Sequence, residues 1–366
     1  MADVETYELV WASGGVAIEP SEQRQSTGFT SGPADPDEVN WLFRTQQERH
    51  NELAELVRSL TIFDDMTIYV PADQPTIQDA LNFLNDKTIA PPAIVRIMLP
   101  AGEVVINQSL TLDHPQGNRI HLIGADLTTA WPGEASIVAN QATTESTLRS
   151  IFPTVIKCVG ADGLQMLNHS LGRLQNILFI GDGSAHTGLR VGSREGVYGR
   201  ANVHVDSVWV HGFGTRGAFQ EIGSQMTGER LGVSFCGEGI RNARSQFRVS
   251  SCRICRNTGV GLWTINQAFS EVSGSEICYN GGPNQMDTNT NSTTLAVGIK
   301  LRGTVTHANT IINSSLVLVS PDTNEVGTEY YAGFSSYQQI TTPVGTPSYS
   351  PAAGATGNNN ANTVVL

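Results

Sequence analysis

The 366-residue sequence is poor in charged and aromatic side chains, which make up 15% and 7% of it. No apolar run approaches the roughly 20 residues that a membrane-spanning helix needs. The polar start MADVETYE also lacks the apolar core of a signal peptide. We therefore expect no membrane insertion, and a chain that is made and kept in a cytoplasm.

Positive charge is also scarce, since 22 Lys and Arg face 34 Asp and Glu, for a net charge of -12. Without a local basic patch, this balance excludes nucleic acid as a partner. The five cysteines are an odd number in a long chain without a secretion signal. We expect free thiols rather than a disulfide framework.

Glycine is abundant, with 37 residues, and Ser, Thr and Asn are frequent, a composition that favours strands and turns. From about residue 104 to 318, short apolar strands alternate with Gly and Asn turns, and no second helix is predicted among them. Segments starting at Ser207, Gly232, Ser251 and Gly274 resemble one another. Their alignment places the following apolar residues in one column: Phe179, Val210, Phe235, Ile254 and Ile277.

Repeats of about 20 to 25 residues with Gly or Asn corners indicate a right-handed parallel β-helix, in which each rung buries its apolar row on the next. The alternative, an antiparallel sandwich, predicts tight two-residue hairpins, which are scarce. Ahead of the repeats, "MTIYVP" and "AIVRIMLPAGEV" read as strands around a short helix. That helix, with Asp73 or Gln74 near its cap and Ile77, Ala80, Leu81 and Leu84 on one face, is predicted to cap the solenoid.

The segment "WLFRTQQERHNELAELVRSL" is the clearest helix of the sequence. Leu42, Gln46, Arg49, Leu53, Leu56 and Leu60 follow the spacing of a coiled coil. A coiled-coil stub and a helix docked on a partner both fit this pattern. We divide the chain into residues 1–62, a β-helical body at 63–320, and a polar Gly/Asn/Pro-rich tail at 321–366.

The stretch "CRIC" contains a Cys-x-x-Cys pair, a spacing used by zinc knuckles and thiol redox sites. The alignment instead stacks Cys236, Cys255 and Cys278 in one column, and Cys252 three residues earlier points to the other face. We interpret the column as a ladder of small buried thiols. A metal or redox site remains the alternative, because three stacked thiols can converge on one ion.

Glycan-cleaving enzymes need two carboxyl groups about 5 to 9.5 Å apart. The alignment places Glu229 and Glu271 in one outward column with His204, separated by the guanidinium of Arg248, which disfavours a protonated general acid. A second outward pair is Arg253 with Glu276. A surface ion ladder is the interpretation that we favour. The alternative is a catalytic pair drawn from Asp206, Glu229, Glu271 and Glu276.

His204 and His211 flank the stretch "VDSVWV", in which Asp206 and Trp209 are predicted to face outward. An exposed tryptophan beside His and Asp can form a platform on which a sugar stacks. A neighbouring chain that covers Trp209 in an oligomer is the interpretation that we prefer.

Several residues of the amino-terminal segment form a recognisable pattern: Trp11, Pro20, Ser21, Gly28, Phe29, Pro33, Asn40, Trp41 and Leu42. With these residues, the segment resembles the tail-attachment segment of bacteriophage tail fibres and tailspikes. Residues 70–106, which contain "VPADQPTIQDALN" and "VRIMLPAGEVVI", are similar to the capping helix and first rung of pectate-lyase-like β-helices.

The resemblance implies a homotrimeric virion protein that is assembled in the host cytoplasm and held to the phage baseplate or tail by its amino-terminal segment. Its trimer helix would bury Leu53, Leu56 and Leu60, and its body would meet a host surface glycan or receptor. No cofactor is implied. The alternative function is a tailspike depolymerase that cleaves the host polysaccharide, although the short body departs from that pattern.

Overall fold

The computed structural model describes residues 36–192, 200–282 and 284–302, and beyond these the strand segments 307–312, 315–319, 330–332, 337–341, 349–351 and 362–365. The chain forms two compact units, Met1–Phe63 and Asp64–Leu366. The described helices are α1 (Pro36–Leu60), α2 (Ile77–Leu84) and α3 (Gln141–Ile151), with 3-10 turns at Gly117–Arg119 and Glu134–Ser136.

Short strands make up most of the second unit, and β1 lies at the end of the first. In chain order they are β1 (Thr61–Ile62), β2 (Met66–Tyr69), β3 (Thr88–Ile89), β4 (Val95–Met98), β5 (Gly102–Ile106), β6 (Leu110–Leu112), β7 (Ile120–Ile123), β8 (Thr154–Cys158), β9 (Leu164–Leu167), β10 (Leu171–Ile180), β11 (Thr187–Gly192), β12 (Asn202–His211), β13 (Arg216–Gln220), β14 (Gln225–Ser234), β15 (Glu238–Ala243), β16 (Gln246–Ser250), β17 (Arg253–Cys255), β18 (Leu262–Ile265), β19 (Phe269–Ser273), β20 (Glu276–Cys278), β21 (Asn284–Asn289), β22 (Thr293–Val297), β23 (Lys300–Arg302), β24 (His307–Ile312), β25 (Ser315–Val319), β26 (Tyr330–Ala332), β27 (Tyr337–Thr341), β28 (Tyr349–Pro351) and β29 (Asn362–Val365).

Apart from β1 and β3, these strands form three parallel sheets, which the chain visits in turn. The first sheet runs through β2, β4, β7, the first halves of β10, β12 and β14, and then β16, β19, β22, β25, β27 and β29. The second runs through β5, β8, the second halves of β10, β12 and β14, and then β17, β20 and β23. The third sheet joins β6, β9, β11, β13, β15, β18, β21, β24, β26 and β28. The predicted parallel β-helix is confirmed.

The core consists of columns in which each rung places an apolar side chain on the next, about 4.8 Å away. The second-sheet column contains Phe179, Val210, Val233, Ile254 and Ile277, and the third-sheet column contains Leu189, Ala218, Ile240, Leu262 and Met286. All ten are buried. The prediction of Phe235 in the first of these columns is wrong, because Val233 takes that place.

In five successive rungs, the bend between the first and second sheets uses one residue in the left-handed region. Asn176, Ser207, Arg230, Ser251 and Gly274 follow one another there with φ between 54° and 59°. Only one of the five is glycine, so most rungs carry the cost of a left-handed non-glycine residue at this bend. A turn this short keeps the two sheets in continuous register.

The helix α2 caps the first rung, as predicted. Ile77, Ala80, Leu81 and Leu84 are its buried face. The side-chain amide of Gln78 accepts a hydrogen bond from the Thr111 N–H (2.8 Å) and donates one to the Thr111 carbonyl (3.1 Å). Both backbone polar groups of Thr111 at the edge of β6 are therefore hydrogen-bonded. The N-cap, however, is Thr76 rather than Asp73 or Gln74.

Between β7 and β8 the chain leaves the ladder for residues 124–153, which we call the cover segment. It contains α3, so the prediction that no second helix interrupts the strands is wrong. The Asn140 side chain caps α3 by accepting a hydrogen bond from the Thr143 N–H at 2.9 Å. Leu148 and Ile151 then face the second sheet, where they join a buried cluster outside the solenoid core.

Beyond residue 320, parallel pairing continues. The strands β26, β27, β28 and β29 each add to the first or third sheet. The described strands within 321–366 therefore extend the sheets past the predicted boundary at residue 320.

Candidate functional site

Asp206 and Glu229 occupy adjacent rungs on the outer side of the first sheet. Arg230 donates hydrogen bonds to both carboxylates, at 2.6 Å to Asp206 and 2.9 Å to Glu229. Arg173 and the Ser207 hydroxyl also donate to Asp206. One acid therefore lies between two guanidinium groups, and the second shares one of them.

Asp206 lies on the outer side of the sheet, where the alignment placed it, but it is only 5% exposed. Burial alone would raise the pKa of its carboxyl group, but the hydrogen bonds from Arg230 and Arg173 outweigh this and hold the pKa below its usual value. Asp206 is therefore ionised and held in place at neutral pH. It does not have the raised pKa of a general acid.

The other two candidate carboxylates are also paired. Glu271 lies 3.6 Å from Arg248, and Glu276 lies between Arg253 at 3.0 Å and Lys300 at 3.3 Å. The predicted ion pair of Arg253 with Glu276 is confirmed. Each of the four candidate acids thus contacts at least one cation.

The predicted column that joined Glu229 to His204, Arg248 and Glu271 is wrong at one place. Thr227, not Glu229, lies between His204 and Arg248. Because Glu229 belongs to the neighbouring column, it does not stack in line with Glu271. The two acids do not form the in-line carboxyl pair that the alignment suggested.

The cysteine column is also shifted. Cys255 pairs with Cys278, as predicted, but the place expected for Cys236 is taken by Ser234. All five cysteines are buried free thiols, which confirms that prediction. Burial raises the pKa of Cys158, Cys236 and Cys252 to about 12, so these thiols are poor nucleophiles.

No group of three or more His, Cys, Asp and Glu side chains within the described residues is placed to hold a metal ion. With Cys236 outside the column, three sulfur atoms do not stack along one line. The two cysteines of "CRIC" instead have separate surroundings. Cys255 joins the cluster beneath the cover segment, whereas the Cys252 thiol donates to the Val249 carbonyl at 3.4 Å.

Trp209 is fully buried, which excludes the alternative of an exposed sugar platform. Its ring lies 5.2 Å from that of Trp131 and 6.4 Å from that of Phe152, both in the cover segment, and its indole N–H donates to Ser234 at 3.0 Å. The cover for Trp209 thus comes from the same chain, which corrects the preferred interpretation that a neighbouring chain covers it. His211, also buried beside Ser234, has its pKa lowered by burial to about 4.

The attachment residues divide between described and undescribed parts of the chain. Trp11, Gly28 and Phe29 lie outside the described residues, and Asn40, Trp41 and Leu42 lie in the first turns of α1. Farther along α1, Leu53, Leu56 and Leu60 are 58%, 54% and 39% exposed. Their apolar side chains are available for burial against another surface.

The outer side of the third sheet carries a column that the sequence analysis missed. Arg190, Phe219, Arg241, Trp263 and Asp287 follow one another on successive rungs. The Arg241 guanidinium lies 4.4 Å from the centre of the Trp263 ring and 5.8 Å from that of Phe219. Burial raises the pKa of Asp287 to about 6. This column alternates aromatic and charged groups.

A surface cavity of about 350 Å³ lies at the turn between the third and first sheets. One wall is a column at the start of the first-sheet strands, made of Asn202, Gln225, Gln246 and Phe269. The remaining lining residues come from the preceding turns: Arg200, Gly223, Ser224, Arg244, Ser245 and Gln267. Its volume falls in the range of small-molecule sites.

None of the helices in the described part of the chain is both long and apolar enough to cross a membrane.

Neither a protein-family model nor a curated protein matches the sequence. Two solved structures of bacteriophage proteins are similar in fold. The enzymatically active domain of tailspike protein 2 from bacteriophage CBA120 gives a TM-score of 0.49 at 12% identity, over 74% of this chain and 42% of that one. ORF18 of Geobacillus virus E2 gives 0.42 at 13% identity, over 92% and 64%. The chain therefore spans less than two thirds of the length of either protein to which its fold is similar.

Proposed function

We propose that the chain is a tail-fibre-like or tailspike-like component of a bacteriophage virion, which recognises the host surface without cleaving it. The amino-terminal resemblance supports the virion assignment. The capped β-helix supports it further, because a long parallel ladder presents rigid outer faces on which contact residues can be arranged.

In this proposal, residues 1–62 dock on the phage baseplate or tail and hold three copies together. The apolar side chains of Leu53, Leu56 and Leu60 support the trimer, because they follow the spacing of a coiled coil and are about half exposed in the single chain. Assembly of the virion takes place in the host cytoplasm.

The observation that carries the non-enzymatic reading is the pairing of all four candidate acids with cations. Glycoside hydrolysis needs one carboxyl group that is kept protonated and a second that is available as base or nucleophile. Asp206 has a lowered pKa and two arginine partners. Such groups stabilise the outer face as an ion-paired ladder and are poorly suited to proton transfer.

The test is incubation of the purified full chain with surface polysaccharide of the host. We expect saturable binding, measured by surface plasmon resonance, with no time-dependent release of reducing ends or unsaturated uronates. An Asp206→Asn variant serves as a control, because residual release that disappears with this change would identify a catalytic acid. Release by the wild type would contradict the proposal.

Attachment is tested separately by deleting residues 1–40. We expect a folded, β-rich body that no longer enters virions, measured by circular dichroism and by immunoblotting of purified particles. Incorporation of the shortened chain at the wild-type level would refute the assignment of residues 1–62.

A further inference from the structure

The cavity between the third and first sheets has a regular wall. Asn202, Gln225, Gln246 and Phe269 occupy the same position on four successive rungs. At about 4.8 Å per rung, this wall is about 14 Å long. Three neighbouring amides can each donate and accept hydrogen bonds, which is the requirement for contacts with a row of hydroxyl groups.

The lining is positively charged in a chain whose net charge is -12. Within the described residues it contains Arg200 and Arg244 but no aspartate or glutamate. Both arginines are exposed, and neither has a carboxylate partner in the described part of the chain. This contrasts with the first sheet, where Arg173, Arg230 and Arg248 all contact acids.

Ser224 supplies an independent observation. It lines the cavity and is 1% exposed, and its hydroxyl has no hydrogen-bond partner among the described residues. A buried hydroxyl without a partner is unfavourable, so rotation of the Ser224 side chain towards a ligand in the cavity would recover that cost. At the far end of the wall, Phe269 adds an apolar ring, over which Arg248 lies at 5.1 Å.

We propose that this cavity binds an acidic saccharide, whose carboxylate or phosphate contacts Arg200 and Arg244 while its hydroxyls bond the amide wall. A bare inorganic anion would leave most of the 350 Å³ and all of the amide wall unused. A neutral sugar would leave the two guanidinium groups unpaired. The inference rests on the proposed host-surface recognition and names the chemical class of its target.

The experiment uses the full chain in isothermal titration calorimetry with three probes: tetragalacturonate for carboxylate, a glycerol phosphate oligomer for phosphate, and maltotetraose as the neutral sugar. The test variant is Arg244→Gln, which keeps a polar side chain at an exposed turn. The matched control is Arg96→Gln, which removes the same charge from a partly exposed arginine on β4 that pairs with Asp65.

We expect one acidic probe to bind saturably and more weakly as salt increases. Arg244→Gln should reduce its affinity at least about tenfold, as loss of a charged hydrogen bond does, whereas Arg96→Gln should leave it unchanged. Unchanged thermal unfolding of both variants excludes misfolding as the cause. Equal losses in the two variants, equal binding of maltotetraose, or no binding of either acidic probe would overturn the proposal.

The failure of this inference and that of the proposed function have different signatures. Full host adsorption by virions that carry Arg244→Gln, with no binding of the acidic probes, removes the cavity proposal and leaves host recognition standing. Cleavage of host polysaccharide by a chain that still binds the acidic probe through Arg244 removes the non-enzymatic function and leaves the cavity proposal standing.

Discussion

The exposed leucines of α1 should hold three chains together, and alanine substitution measures how strongly. Leu53 and Leu56 are 58% and 54% exposed. Leu→Ala removes three carbons, worth about 0.8 kcal/mol each on full burial, or about 1.3 kcal/mol when scaled by these fractions. Two sites in each of three chains then contribute about 8 kcal/mol to a trimer.

Sedimentation velocity and mass photometry over a concentration series test this value in the Leu53→Ala/Leu56→Ala variant. We expect the concentration of half-dissociation to rise by several hundredfold, roughly the effect of 8 kcal/mol on a three-body equilibrium. Because alanine is the best helix former, a weaker trimer cannot be attributed to loss of the helix itself.

The matched control is Arg44→Ala/Glu55→Ala, which changes two exposed charged residues of α1 with no change in net charge. This variant should assemble as the wild type does. A wild-type chain that stays monomeric at tens of micromolar, or a control that weakens assembly as much as the leucine variant, would refute the reasoning.

Three further predictions concern stability. Trp209→Ala should lower the free energy of unfolding by about 3–5 kcal/mol in urea titrations, because it empties the contact with the cover segment. Trp263 is only half-buried, so Trp263→Ala should lower the free energy of unfolding clearly less. Equal losses of stability in the two variants would contradict this. Asp287→Asn should raise stability by up to about 3 kcal/mol at pH 8 but not at pH 3.5, because burial raises the pKa of Asp287 from its ordinary 3.8 to about 6, so that its ionisation costs stability as the pH rises through this range. Thermal unfolding at both pH values tests this, and a gain confined to pH 3.5 would exclude it. The lowered pKa of His211, about 4, means that the unfolded chain takes up a proton first as the pH falls. Stability should therefore drop by about 3 kcal/mol from pH 6.5 to 4 in the wild type and by less in His211→Gln, and identical pH profiles would disprove it.

The sequence predicted the fold but placed one rung two residues out of register. Moving a strand by two residues keeps every side chain on its own face, so the apolar pattern fits Val233 and Phe235 equally well. What decides the register is the bend, where Arg230 adopts the left-handed conformation that Ser207 and Ser251 adopt in neighbouring rungs. Arginine carries no sequence signal for that conformation. The errors at Cys236 and Glu229 follow from the same shift.

A clearer sequence signal of the register lies in the third sheet. On four successive rungs, a glycine is followed by an inward apolar residue and then by an outward side chain of any type. The triplets are GLR, GAF, GIR and GLW, which start at Gly188, Gly217, Gly239 and Gly261. A Cβ atom at Gly188 or Gly217 would lie 2.2 or 2.1 Å from Val210 or Val233 of the second sheet. This repeat predicts the register and the outward column that ends near Trp263.

The cover segment could not be predicted from periodicity, because α3 is rich in Thr and Ser, which are weak helix formers. Its start was detectable from Asn140 and the ion pair of Glu145 with Arg149, four residues apart. The position of the cover segment over Trp209 was not detectable from the sequence. That contact joins residues far apart in the chain, and an outward tryptophan looks the same in sequence whether it is covered or exposed.

The bend between the first and second sheets tolerates very different lengths of chain. One rung crosses it with Asn176 alone, and the rung before it crosses with the whole of residues 124–153, yet the strands on both sides stay paired. Such a corner is a natural insertion point, because added chain leaves the ladder without disturbing the core columns. Evolution or protein engineering can therefore exchange what this molecule displays at its corners while its scaffold remains the same.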